Sequence, residues 1–364
     1  MSPDAAHSWR DLFSGGPEDS SIVLRTLKKN GEDFLLLPSG AQPAIHALSL
    51  YPAQTCFARM ARKIIHLALQ YKLPFPLEKT LIHIKPGARF EEFLTQLAGA
   101  SRFPEIAILC GNARTAGRRF VVLVFDKSGN PAWVVKAGIG KDAEELITRE
   151  IAFLKAAPPG IPAIPKLLNE LKSDFIQGLA LDFVDGVSPI GNWSFGELLT
   201  AWLHKEAAIP IESLSVWRKL ASHCACHPVF NSIAPQFAGR LVHPAIQHGD
   251  FAPWNIKLSR DGSCMVLDWE RGEVRGLPAW DWFHYVIQPA ILVRRLSLDQ
   301  LMNCVDELLI SSDFQEYARH AKIDGCTQEL LLAYLLYCVE ILKPADSSGP
   351  TRALLEALWN RVKK

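Results

Sequence analysis

His248-Gly249-Asp250-Phe251-Ala252-Pro253-Trp254-Asn255, with Leu267-Asp268-Trp269-Glu270 shortly after it, is the stretch on which the fold turns. Between the two lie Ile256-Lys257-Leu258 and Cys264-Met265-Val266, flanking Ser259-Arg260-Asp261-Gly262-Ser263. Two short apolar runs around a Gly-containing turn predict a hairpin, and an antiparallel hairpin returns the chain to where it began. Asn255 at its entry and Asp268 at its exit therefore fall side by side at the open end. Asp250 lies just upstream in a loop stiffened by Pro253.

Three oxygen-bearing side chains thus converge. Two hard oxygen donors suit Mg²⁺, which keeps few protein ligands and leaves its other positions to water and phosphate. A third carboxylate set slightly apart can take a proton from an attacking hydroxyl. Together they match phosphoryl transfer, which asks a protein for positioning and neutralised charge more than for covalent chemistry. The competing reading is a surface hairpin with Asp and Asn in ordinary turn roles. Phe251, Trp254, Leu267 and Trp269 argue against it, because a carboxylate among such neighbours is costly without a partner.

A second signal lies upstream. Lys136 is the only charge in Ala132-Trp133-Val134-Val135-Lys136-Ala137, which reads as a strand. On the helix that follows, Ile147, Glu150, Ile151 and Leu154 share one stripe, so Glu150 faces inward and needs a cation. Lys136 is the cation at hand, and the pair would hold its ammonium to grip nucleotide phosphates; a purely structural salt bridge is the alternative. The loop from Gly111 to Gly117 could cover phosphates with backbone N–H groups. It is not GxGxxG, no Walker A motif occurs in the chain, and a plain hairpin turn is an equal reading.

Working outward, residues 1–19 are polar and rich in Gly, Ser and Pro. Ile22–Leu27 and Phe34–Leu37 read as strands joined across Asn30-Gly31. After Pro52 comes a helix with Phe57, Met60, Ile64, Leu67 and Tyr71 on one stripe and Arg59, Arg62, Lys63 and His66 on another face. The basic face reads first as solvated on a packed helix, although a basic amphipathic helix can also lie on a membrane or on nucleic acid. From Ile106 to Phe183 five strands and one helix, Asp142–Ala156, predict an antiparallel sheet with the helix inserted. Beyond Asp185-Gly186 the pattern is mostly helical, including Ser297–Ile310, Asp313–Ala321 and Thr327–Lys343. The expected organisation is an accessory region over 1–100, a sheet lobe over 101–185 and a helical lobe over 186–364.

Bulk numbers bound the remaining choices. The 364 residues exceed one ordinary core. Lys+Arg 39 against Asp+Glu 38 gives no reason to expect nucleic acid as a partner. No leader-like or membrane-spanning stretch is seen, so a cytoplasmic protein is expected. The eight cysteines are scattered, which fits buried thiols better than a disulfide framework. His223-Cys224-Ala225-Cys226-His227 suggests zinc, but Cys224 shares an apolar stripe with Leu214, Trp217 and Ala221 and so points inward. Trp254, Trp269, Trp280, Trp282, Phe283 and Tyr285 could cage a quaternary ammonium or simply be core. Glu270, Glu273 and Asp281 could attract a cationic substrate or serve as braces.

The segment 248–255, with Leu267-Asp268-Trp269-Glu270 and Pro278-Ala279-Trp280-Asp281, resembles the aminoglycoside phosphotransferase/choline kinase family over about residues 105 to 290. The resemblance implies an α+β, two-lobed protein-kinase-like fold. It implies Asp250 as catalytic base, Asn255 and Asp268 as Mg²⁺ ligands, and Lys136, held by Glu150, on the nucleotide phosphates. Gly111 and Gly117 would belong to the phosphate loop, Phe183 and Val184 to a hinge meeting the base, and His248 and Asp281 would be structural supports. The implied substrates are ATP, with GTP as the alternative, and a small hydroxyl acceptor such as a sugar, amino alcohol or aminoglycoside. A protein or cell-envelope glycan as acceptor, or a non-catalytic nucleotide-binding scaffold, are the rival readings. The chain departs from the family in its phosphate-loop glycine spacing and in residues 1–100.

Overall fold

The computed structural model of the protein describes residues 7–51, 56–73, 77–111, 117–189, 193–343 and 348–363. It divides into two compact units, one running to Lys155 and taking in Pro165–Asp185, the other formed by Ala156–Ile164 and Gly186–Lys364.

The first unit is built on one antiparallel sheet. In chain order it contains β1 (Ser20–Lys29), β2 (Glu32–Pro38), α1 (Ala41–Ala47), α2 (Cys56–Gln70), β3 (Glu78–Ile84) and α3 (Arg89–Leu97). There follow β4 (Ile106–Leu109), β5 (Arg119–Phe125), β6 (Pro131–Ile139), α4 (Lys141–Ala156), β7 (Leu167–Lys172) and β8 (Ile176–Asp182). The sheet order is β3-β1-β2-β4-β5-β6-β8-β7. The five strands expected between residues 106 and 183 are thus part of an eight-stranded sheet, and residues 1–100 supply the other three. The link is the pairing of Leu35 with Leu109 and Leu36 with Ile108, a long-range contact that no local pattern announces.

Alternation along the strands gives the sheet two apolar faces. Leu36, Ile108, Val122, Val124 and Val135 pack with Phe90 and Leu94 of α3 on one face. Leu35, Leu37, Ala107, Leu123 and Phe125 pack with α1 and α2 on the other. Ile147 and Ile151 of α4 meet Leu179 and Leu181 of β8. The inward stripe of α2 differs from the expectation. Ile65 and Leu69 make its packed face, while Phe57, Met60, Ile64, Leu67 and Tyr71 are exposed. Two apolar stripes compete on this helix, and only the sheet's position decides which is buried.

The second unit is mostly helical. It contains α5 (Gly196–Ala201), β9 (Ile209–Pro210), α6 (Ser215–Cys224), α7 (Pro228–Ile233), β10 (Leu241–Val242) and β11 (Ala245–Gln247). Next come β12 (Ile256–Leu258), β13 (Cys264–Val266), β14 (Glu273–Gly276), α8 (Trp280–Leu292), α9 (Leu298–Ile310), α10 (Ser312–Ala321), α11 (Thr327–Tyr337) and α12 (Ser348–Val362). α8 packs against α9 and α11, and its buried Trp280, Trp282, Phe283 and Ile287 fill the unit's centre. The hairpin expected over 255–268 is β12–β13, with Ile256 opposite Val266 and Leu258 opposite Cys264. Its flanks are held by Val187, bridged to Leu258, and by Ala163, whose carbonyl accepts from Val266 N–H at 2.9 Å.

The β1–β2 turn is a local test of this fold. Asn30 has φ 54° and Gly31 φ 81°, the two positive values that a two-residue hairpin connection needs to follow strand twist. Gly31→Val should cost about 1–2 kcal/mol, because a β-branched side chain resists the left-handed region. The measurement is the denaturant midpoint, and an unchanged midpoint would mean that the turn does not hold this conformation.

Candidate active site

The site grows from the loop after β11. Asp281, in the first turn of α8, is buried. Its carboxylate accepts from His248 N–H at 2.7 Å and from Gly249 N–H at 3.0 Å. Burial pushes this carboxyl above its usual range, and the two N–H donors pull it back. Gly249 has φ 77°, and a Cβ there would lie 2.8 Å from the Arg271 carbonyl oxygen and 2.9 Å from Arg271 Cβ. Only glycine satisfies both the dihedral and the space.

His248 ties this loop to the hairpin. Its Nε2 lies 2.8 Å from the Leu267 carbonyl oxygen, and its Nδ1 accepts from Asp250 N–H at 3.1 Å. Those partners set Nδ1 as the acceptor and leave Nε2 to donate to the Leu267 carbonyl. One side chain thereby fixes the backbone on either side of the site, at Asp250 and next to Asp268.

Asp250 has both carboxylate oxygens engaged. Oδ2 accepts from Asn255 Nδ2 at 2.9 Å, and the same Nδ2 lies 2.9 Å from the Asp250 carbonyl. Oδ1 lies 3.0 Å from His284 Nε2, and Tyr334 Oη lies 3.1 Å from His284 Nδ1. Burial pushes the Asp250 carboxyl up, but the His284 hydrogen bond and charge and the Arg271 charge outweigh it, so the net shift is downward. The carboxylate is therefore ionised near neutrality, and since it can only accept, His284 Nε2 carries a proton. The Asp250 side chain remains 29% exposed against 6% for His284, which leaves room for a hydroxyl at a remaining lone pair. His284 and Tyr334 were not singled out from the sequence. Histidine inside the apolar run Trp280–Leu292 was the available signal, as a buried imidazole needs polar partners.

At the hairpin mouth Asn255 faces Leu267, whose N–H donates to the Asn255 carbonyl at 2.7 Å, and Asp268 follows directly. With Nδ2 directed at Asp250, the Asn255 side chain has Oδ1 left to offer a cation. Asp268 has φ 74°, a conformation that a non-glycine residue adopts at a cost and that clusters at functional sites. One amide oxygen and one carboxylate are hard donors of the kind Mg²⁺ takes alongside water and phosphate, so the donor set fits that ion.

In the sheet unit, Lys136 Nζ lies 2.6 and 2.8 Å from the two Glu150 oxygens. Their side chains are 10% and 0% exposed. Lys136 sits between Val121 and Leu179 in the sheet, with Ile147 and Ile151 of α4 in the adjoining cluster. Gly111 and Gly117 both have positive φ, 65° and 72°; the stretch between them lies outside the described residues. Phe183 N–H donates to the Ala132 carbonyl at 2.9 Å, so its backbone donor is engaged within the sheet, and Val184 follows it, half-buried.

The other sequence candidates resolve simply. Cys224 is buried and Cys226 is exposed. Among the described residues no three His, Cys, Asp or Glu side chains form a metal-binding group. Trp269, Trp280, Trp282 and Phe283 are core, while Trp254 and Tyr285 are half-buried and Glu270 likewise. Glu273 accepts from Ser215 Oγ at 3.2 Å.

No family model matches the chain, and no curated protein matches it. Several solved structures are similar to it. A thermostable mutant of aminoglycoside phosphotransferase APH(4)-Ia, in ternary complex with AMP-PNP and hygromycin B, is 14% identical with TM-score 0.47, over 75% of this chain and 98% of that one. Aminoglycoside phosphotransferase APH(3'')-Id from Streptomyces rimosus is 15% identical with TM-score 0.39, over 67% and 96%. A Plasmodium vivax ethanolamine kinase is 12% identical with TM-score 0.43, over 70% and 81%. At these values the similarities stand only as similarities, and what the site can do rests on its own residues.

Substitutions at two positions probe the supports. Glu150→Ala removes the carboxylate that meets the buried Lys136 ammonium and should destabilise the protein by about 3–5 kcal/mol, read as a lower midpoint of chemical unfolding. Glu150→Gln, which keeps a hydrogen-bond acceptor, should cost less. Gly249→Ala should cost about 1–3 kcal/mol through strain and the contact with Arg271. A wild-type midpoint for either alanine variant would contradict the corresponding geometry.

Proposed function

We propose that this protein is a small-molecule kinase that moves the terminal phosphoryl group of a nucleoside triphosphate to an acceptor hydroxyl. In this reading it is akin to the aminoglycoside phosphotransferase/choline kinase family. The observation that carries the reading is the Asp250 carboxylate, held ionised and oriented by His284 and Asn255 beside the Asn255/Asp268 hairpin mouth. A structural role alone would not explain a partly exposed carboxylate so fully positioned from below.

Asp250 orients the acceptor hydroxyl and takes its proton. A carboxylate with a depressed pKa is a weak base, and that suffices where the transition state is loose and the proton leaves late. Asn255 Oδ1 and Asp268 would hold Mg²⁺, which supplies neutralisation of phosphate charge. Lys136, fixed by Glu150, meets the nucleotide phosphates, aided by the backbone at Gly111 and Gly117. Phe183 and Val184 form the segment that recognises the base, with ATP preferred over GTP as the first nucleotide to try. His248 and Asp281 act through the loop and not on substrate. The acceptor class proposed is a sugar, amino alcohol or aminoglycoside-like hydroxyl.

The deciding experiment is Mg²⁺-dependent ADP release with a panel of such acceptors. Asp250→Asn should lower turnover about 10²–10⁴-fold with nucleotide affinity nearly unchanged; wild-type turnover in that variant would remove Asp250 from the chemistry. Asp268→Ala should abolish Mg²⁺-dependent nucleotide binding, and intact binding would remove it from the metal site. The pH profile tests His284. It lowers the Asp250 pKa, so its loss raises that pKa, and on acidification the ionised carboxylate, with the activity that needs it, should be lost at a higher pH than in the unaltered protein. The acid limb of the rate profile should thus move upward in His284→Ala, and an unmoved limb would count against this role.

A further inference from the structure

The α2 helix has more apolar surface than the sheet covers. Ile65, Ala68 and Leu69 are buried against the sheet, at 4%, 7% and 6% exposure. A second ridge, Phe57, Met60, Ile64, Leu67 and Tyr71, runs along the helix at spacings of three and four and is exposed, up to 78% at Phe57. The same sheet face adds to it. Leu24 and Thr26 of β1 point into the α3 side, so Val23, Arg25 and Leu27 point to the α2 side, and Leu27 packs in the α2 cluster. Val23 is paired with Leu81 of β3, and both are exposed.

Charge is distributed unevenly over this surface. The whole chain is balanced, with Lys+Arg 39 and Asp+Glu 38, yet no acidic residue occurs between Asp33 and Glu78. On α2, Lys63 and His66 fall on the solvent side beside the ridge, and both are exposed, with Arg62 half-buried at its far edge. Arg25 stands directly opposite Lys79 across β1 and β3, a like-charge pairing that disfavours the sheet unless an anion lies over it. Among the described residues no acidic side chain pairs with Arg25, Arg62, Lys63 or Lys79.

We propose that this face docks the protein on an anionic membrane surface. The ridge would enter the boundary between headgroups and acyl chains, with the flanking cations against lipid phosphates. A helix lying in the interface plane needs this pairing of large apolar side chains with cations beside them. Nucleic acid would use the cations but gain nothing from five large apolar side chains in a row. A second copy, meeting the first around a two-fold axis, would bring the unpaired cations of both copies together. The lipid surface satisfies both halves of the observation. Among the described residues no helix is long and apolar enough to cross a membrane, so the contact is peripheral.

The test is sedimentation of the full-length protein with vesicles of neutral phosphatidylcholine, and with vesicles containing about 30% phosphatidylglycerol. Binding to the anionic vesicles should be at least about tenfold stronger than to neutral ones, and it should fall sharply between about 0.1 and 0.5 M salt. Phe57→Ser/Ile64→Ser and Arg62→Glu/Lys63→Glu should each reduce it at least about tenfold, with unchanged thermal midpoints. Hydrogen exchange in the unaltered chain gives a reading independent of the variants: slowing on vesicle addition should centre on residues 57–73. Equal binding to both vesicle types, wild-type binding by either folded variant, or protection elsewhere would overturn the proposal. So would self-association that Phe57→Ser/Ile64→Ser dissolves without any vesicle binding, which would assign the ridge to a second copy.

Discussion

A single buried carboxylate organises the helical unit's chemistry. Asp281 receives two consecutive backbone N–H groups, from His248 and Gly249, and no side chain other than a short acid could serve both at once from a helix start. Leaving either N–H without an acceptor in that environment would cost about 1–3 kcal/mol. The brace sets the turn through Gly249, and the turn sets where Asp250 begins. His248 then carries the constraint to Leu267, so the loop and the hairpin are tied together.

On that frame the Asp250 carboxylate is held from beneath and left partly exposed above. Asn255 and His284 each take one oxygen of Asp250, and Tyr334 backs the imidazole. Such a chain fixes orientation while lowering basicity, a combination that suits reactions in which alignment matters more than base strength. Asn255 has two duties, its Nδ2 on Asp250 and its Oδ1 at the hairpin mouth, which couples the proposed base to the proposed metal position through one amide. In the sheet unit the Lys136–Glu150 pair follows the same logic. A buried ammonium is tolerable only with its counter-charge in place, and both Glu150 oxygens meet it.

The N-terminal residues acquire a clearer standing from the sheet they join. β1, β2 and β3 extend the strands that carry Lys136, and α1 and α2 cover one face of that extension. α2 covers it with the narrower of its two apolar stripes. The exposed ridge, the exposed Val23–Leu81 pair and the opposed Arg25 and Lys79 lie on the same side of the sheet, and the combination of apolar and cationic surface separates this face from an ordinary solvated one.

The sequence by itself determined what depends on neighbours along the chain. The β12–β13 hairpin, the β1–β2 turn at Asn30-Gly31 and the inward Glu150 were legible because alternation, turn residues and helical spacing act within a few residues. So was the return of the chain to Asn255 at Leu267, the residue before Asp268, since a hairpin needs no other element to close it. Tertiary structure alone decided the rest. The joining of β2 to β4 rests on a contact between segments far apart in sequence. Which stripe of α2 is buried depended on where the sheet lies, because both stripes have helical spacing and hydrophobicity cannot choose between them. His284 reaches Asp250 from α8, and Tyr334 reaches His284 because α8 and α11 pack side by side; hydrogen bonds between residues this distant leave no periodic trace in the sequence.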